Sequence, residues 1–200
     1  MTTFPTGNII WLEKTTSTSD FLSDRQGQLQ DGTVVVAEYQ SNGRGQGSHF
    51  WISEQGMNLT FSILLKYGEH RTFPVKDQHL LSMASALGIT DFLKQYQIEA
   101  KIKIPNDIYV GDKKICGMLI ENSIAGNCML RSIVGIGINV NQTVFPDHLP
   151  NPVSMKLLTG TDYDTKKCLE EILRHLFDRF DAIWTEPWTL ESDFRRNLLD

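Results

Sequence analysis

An α+β fold is predicted, built on a mixed, largely antiparallel sheet backed by helices. Three observations predict it. Strand-like segments outnumber helical ones, and most strand segments adjoin one another across short turns. The chain, at 200 residues, is also long enough to bury a core without disulfides or zinc. No repeat, low-complexity tract or Pro/Ser-rich linker marks a boundary, so residues 1–200 are read as one domain.

The elements follow in order. A short β-prone run, Ile9 to Leu12, leads into Thr15-Thr16-Ser17-Thr18-Ser19-Asp20, a loop and helix cap whose hydroxyls can accept from the free N–H groups of the next turn. Thr33 to Tyr39 is short and rich in β-branched residues, the profile of a buried strand, and the glycine loop Gly43 to Gly47 follows it. From Met57 to Leu65 apolar residues alternate with Asn58, Thr60 and Ser62, which predicts a half-buried strand. Leu80, Met83, Ala84, Leu87 and Phe92 then recur at helical spacing, so Lys76 to Tyr96 reads as a core helix despite Gly88. Strands resume near 102–104, 108–110, 114–121 and 128–140, with turns at Gly111-Asp112 and Gly126-Asn127. Thr165 to Trp184 is a long amphipathic helix with Asp164 as its N-cap. Leu190, Phe194 and Leu198 start a second amphipathic helix at the C-terminus.

Composition narrows the function classes. The 19 Lys and Arg against 24 Asp and Glu leave a net charge of −5, without the basic excess or stripe that gripping a phosphate backbone needs. No DNA partner is expected. The apolar runs fall far short of a membrane span, and the N-terminus lacks the basic and apolar regions of a secretion signal. Cys116, Cys128 and Cys168 are odd in number and lack CxxC spacing, which fits reduced thiols in the cytoplasm.

Three segments carry chemistry. In Gln40-Ser41-Asn42-Gly43-Arg44-Gly45-Gln46-Gly47, the glycines let backbone N–H groups converge on an anion and Arg44 adds a charged fork. It is neither a Walker loop nor a dinucleotide fingerprint, and a solvated surface hairpin is the plain alternative. With three glycines in five residues, the loop is expected to be mobile without ligand. The second segment, Lys103-Ile104-Pro105-Asn106-Asp107 and then Gly111 to Gly117, reads as a fixed turn and a hairpin that presents Lys114; Lys113 and Lys114 could equally be a charged protective edge. In the third, Gly135-Ile136-Gly137-Ile138-Asn139, alternation puts both glycines and Asn139 on one face, so something approaches that backbone closely.

In this order and spacing, the GRGQG loop, the KxPND turn, the KKICGMLIE strand and the GIGINVN strand resemble the catalytic domain of biotin–protein ligases, from about Trp11 to Gly160. The resemblance implies the class II synthetase-like biotin and lipoate ligase fold. It implies that ATP activates biotin to biotinyl-5′-AMP and that a lysine of a biotin carboxyl carrier domain, in a carboxylase or decarboxylase, then takes the biotin. Mg²⁺ would accompany ATP. By position, Lys114 and Arg44 match the catalytic cations. Ser17, Thr18, Ser19, Gln40 and Gly43 match biotin contacts, with Arg44, Lys114, Gly117, Gly135 and Gly137 closing on biotin or the acyl-phosphate. Trp51 and Asn139 match adenine contacts, and Asn106 and Asp107 of the signature turn fall with the nucleotide.

This chain departs from the family pattern in four places. Ile104 stands where many members have Trp, and Ser19 where Asn is frequent. Gln46 replaces a second arginine of the loop, and the small SH3-like domain that usually follows is not expected within these 200 residues. With the pattern starting in the first dozen residues, a DNA-binding repressor-type member is not expected either. The competing readings are a lipoate or octanoate ligase or transferase on the same scaffold, and a non-catalytic biotin- or nucleotide-binding module.

Overall fold

The computed structural model describes residues 8–68, 71–105 and 107–199. They form a mixed α+β fold with a mostly antiparallel sheet and divide into two compact units, each assembled from separate stretches of chain. One holds the described residues through His79 together with Met118–Gly137; the other holds Leu80–Gly117 and the described residues from Ile138 onward.

In the first unit, β1 (Ile9–Thr15) pairs in parallel with β2 (Val34–Gln40), and β2 pairs antiparallel with β3 (Leu59–Lys66). Next comes β8 (Cys128–Ile138), whose outer end also carries the two-residue strand β4 (Phe73–Pro74), and then the distal half of β7 (Lys113–Ala125). The helix α1 (Thr18–Arg25) covers this sheet by inserting Leu22 among Val35, Leu64 and Ile133, all buried. β3 departs from expectation. It is buried on both faces, because Thr60 and Ser62 on its polar side lie under other elements instead of in water.

In the second unit the proximal half of β7 pairs antiparallel with β6 (Asp107–Val110), and β6 with β5 (Lys101–Lys103). The helix α2 (His79–Gln95) follows a 3₁₀ turn at Val75–Asp77 and packs on α4 (Thr165–Thr185). Gly88 earns its place at that crossing: a Cβ there would lie 3.0 Å from the Leu176 Cα. Asp164 caps α4 as expected, accepting from the Lys166 and Lys167 backbone N–H groups. The short helix α3 (Met155–Thr159), capped by Ser154, was not legible as a separate element. The last helix, α5 (Pro187–Arg196), is shorter than the sequence pattern suggested. Leu198 leaves it to form a parallel bridge with Ile102 beside β5. Among the described residues no helix is long and apolar enough to cross a membrane, and the three cysteines form no disulfide.

Candidate functional site

The first unit gathers one set of predicted residues around the start of α1. Ser17 is the N-cap and is buried, but its side chain does not cap the helix. The capping expectation fails because Gln40, from the end of β2, takes that role: its Oε1 accepts from the Thr18 backbone N–H at 2.7 Å and from Thr18 Oγ1 at 3.1 Å. The freed hydroxyls turn inward. Ser62 Oγ lies 2.7 Å from Thr18 Oγ1 and 2.9 Å from Ser19 Oγ, forming a buried hydroxyl chain. Ser62 was not anticipated, because β3 read as exposed on that side. Gly135 borders the same group: a Cβ there would be 2.9 Å from Ser19 Oγ and 3.3 Å from the Leu119 carbonyl oxygen. With the Gln40 carbonyl oxygen occupied by Thr18, the amide NH₂ is its other end, beside Gly43.

The glycine loop is folded. The Gly45 N–H donates to the His49 carbonyl at 2.8 Å and the Trp51 N–H to the Gly43 carbonyl at 2.9 Å, which makes a tight hairpin of Gly43–Trp51. The Trp51 indole packs directly on Gly137 of β8: a Cβ there would come within 2.6 Å of its Cδ2 and Nε1 atoms. The close approach inferred from the paired glycines is therefore met at Gly137 by Trp51 and at Gly135 by the hydroxyl chain. Arg44 donates through both terminal nitrogens to Glu121, at 2.8 and 2.5 Å, and sits 3.0 Å from Asp20. The Glu121 hydrogen bond, opposed by burial and helped by the charges of Glu121 and Asp20, pushes its pKa up from the ordinary arginine value. Neither acid stood out in the sequence.

In the second unit, Lys114 Nζ is 2.7 Å from Asp107 Oδ1. A bulge makes this pairing possible. Asp107 faces Gly117 and Ile108 faces Cys116, but Tyr109 faces Lys114, so Ile115 is an extra residue on β7. The shift places Lys114 on the face of Asp107, Tyr109 and Gly117, and turns Ile115 and Cys116 into the core, where both are 0% exposed. The Lys114 backbone is fixed from the other side, donating to the Asn151 carbonyl and accepting from Val153 N–H. Lys103 shares this face, its Nζ 4.6 Å from the Tyr109 ring centre. Burial drives the Cys116 thiol pKa up, so it stays a neutral core group. Asn139 is buried and its side-chain amide donates to the Val153 carbonyl at 3.0 Å. Asn106, expected at the nucleotide, lies outside the described residues.

A model of the Biotin/lipoate A/B protein ligase family matches residues 11–139. Among relatives, the bifunctional ligase/repressor BirA of Bacillus subtilis is 31% identical over 80% of this chain and 49% of its own. The chloroplastic biotin–protein ligase 1 of Arabidopsis thaliana is 32% identical over 88% of this chain and 47% of its own. The chain thus spans about half the length of these relatives. A solved biotin protein ligase from Aquifex aeolicus, in complex with biotin and ATP, superimposes with a TM-score of 0.80 at 28% identity, covering 96% of this chain and 78% of that one.

Proposed function

This chain belongs to the biotin/lipoate A/B protein ligase family, and from that premise we propose that it activates biotin with ATP and transfers it to a lysine of a biotin carboxyl carrier domain. The observation that carries the choice of biotin is the group of buried Thr18, Ser19 and Ser62 with half-buried Gln40 beside Gly135. A ureido ring presents one carbonyl and two N–H groups, and burying them without partners is costly. Hydroxyl lone pairs that can accept from the ring N–H groups, next to an amide NH₂ that can donate to its carbonyl, answer that pattern. The apolar dithiolane of lipoate offers neither N–H groups for the remaining hydroxyl lone pairs nor a carbonyl for the amide NH₂.

The first step joins two anions. A carboxylate oxygen of biotin attacks the α-phosphorus of ATP, and the bond to pyrophosphate breaks. Lys114, held by Asp107 and by its backbone bonds on the Gly117 face of β7, supplies fixed positive charge for it. Arg44 holds the glycine loop and contributes its Nε–H, while Trp51 and Asn139 serve the adenosine end. In the second step a neutral lysine amine of the carrier attacks the acyl carbon; AMP leaves and the nitrogen loses a proton. Among the described residues no group of three or more His, Cys, Asp or Glu could hold a metal. Mg²⁺ would enter with ATP and share the charge of its phosphates.

The test measures pyrophosphate release with ATP and either biotin or lipoate, followed by mass analysis of a carrier domain. The expected result is biotin-dependent release and a carrier heavier by one biotinyl group. Faster release with lipoate, or none with biotin, would overturn the reading.

A further inference from the structure

Arg44 is the only Lys or Arg between Gln40 and Trp51. Its guanidinium is held by Glu121, which receives Nη1 and Nη2, and by Asp20, which receives Nη2. Glu121 lies on β7, and Asp20 follows Thr18 and Ser19 directly in the first turn of α1. The third nitrogen, Nε, is buried, and its N–H has no acceptor among the described residues. A buried N–H left in that state is costly, so the arrangement is built around an acceptor still to come.

We propose that Glu121 and Asp20 are positioning residues that aim Arg44, fixing the guanidinium plane so that Nε–H is offered to an oxygen of the acyl-phosphate. This rests on the biotin-adenylation reading. Two carboxylates against one guanidinium give the trio a net charge of −1, so Arg44 does not act as a surplus cation. It acts as an oriented donor. The clamp does its work in advance. An arginine on a glycine-rich loop has many rotamers to lose, and Glu121 and Asp20 remove that freedom before substrates meet. They also tie the Gly43–Trp51 hairpin to α1 and β7, which makes the loop ordered without ligand.

Two variants of the full chain test this, Glu121→Gln and Asp20→Asn. In ligand-free protein, amide exchange at Gly45 and Trp51 should rise about tenfold in Glu121→Gln, since the charge-assisted pair is lost. Single-turnover formation of biotinyl-adenylate should slow by about tenfold or more, because a misaimed donor costs rate. Biotin affinity should stay within about twofold, as the ureido partners are untouched. Asp20→Asn should follow in smaller measure. A purely structural role is separated by combining Glu121→Gln with Arg44→Ala: if Glu121 acts through Arg44, it adds no further loss. Adenylation as fast as wild type or faster in Glu121→Gln would overturn the proposal, and so would an undiminished effect in the Arg44→Ala background. The exchange readout needs no substrate. Wild-type protein that made no adenylate would refute the functional reading, whereas unchanged exchange in Glu121→Gln would refute the clamp.

Discussion

Gly135 and Gly137 stand two residues apart on one face of β8, yet adding a methyl group to each should disable different steps. At Gly137 the new Cβ meets the Trp51 ring within 2.6 Å at Cδ2 and Nε1. An indole is rigid, so it must lift as a unit. Overpacking of this kind costs about 1–3 kcal/mol. Every 1.4 kcal/mol is tenfold in an equilibrium, so the closed hairpin should lose between about fivefold and 150-fold of its population. Nucleotide affinity should fall with it. At Gly135 the neighbour that must yield is the Ser19 hydroxyl, 2.9 Å away, which can rotate only by giving up its bond to Ser62. That loss is about 0.5–1.5 kcal/mol, and it falls on the hydroxyls proposed to meet the ureido ring. Calorimetric titration should therefore show Gly137→Ala weakening ATP far more than biotin, and Gly135→Ala weakening biotin far more than ATP. Exchange at the Trp51 amide should rise in the first variant only. If Gly137→Ala bound ATP as the wild type does, or if both variants lost both ligands equally, the division of labour along β8 would be refuted.

Further outcomes follow from single contacts. Lys114→Ala should cut adenylate formation by about 10²–10³-fold while leaving the circular dichroism spectrum unchanged, and wild-type pyrophosphate release by the variant would remove Lys114 from the reaction. Asp164→Ala, which uncaps α4, should cost about 1 kcal/mol, read as a melting temperature lower by about 2–4 °C. Asp193 ties α5 to α4 through Arg179; burial pushes its pKa up, but the Arg179 and Arg196 pairs outweigh this and hold it below the ordinary 3.8. Its stabilising effect is thus complete above the unfolded-state value and disappears as pH falls through the lower folded value. Asp193→Asn should flatten that part of an acid-unfolding profile, and an unchanged profile would show that the pair contributes nothing.

Local signals made much of this fold legible. Two glycines in a β-branched strand announced a close approach, and Trp51 and Ser19 make it. Asp164 announced its helix. The contacts that organise the site were hidden because they join distant stretches of chain. Gln40 caps a helix 22 residues earlier, and Glu121 meets an arginine 77 residues before it. Ser62 was hidden for a different reason: alternation tells which residues share a face, but not whether that face meets water. In the glycine loop, neither the hairpin bonds nor the two carboxylate anchors leave any trace in a run of glycines.

The bulge at Ile115 makes the length of the segment from Lys114 to Gly117 a property of its own. Substitutions there change a side chain, but losing or gaining one residue changes the side of the sheet from which the lysine emerges. A lysine delivered to the opposite side would be driven into the core that now holds Cys116. The spacing between these two residues should therefore vary far less among working relatives than the residues lying between them, and a library of one-residue insertions and deletions should find this short stretch intolerant while the nearby turn at Gly111-Asp112 accepts them.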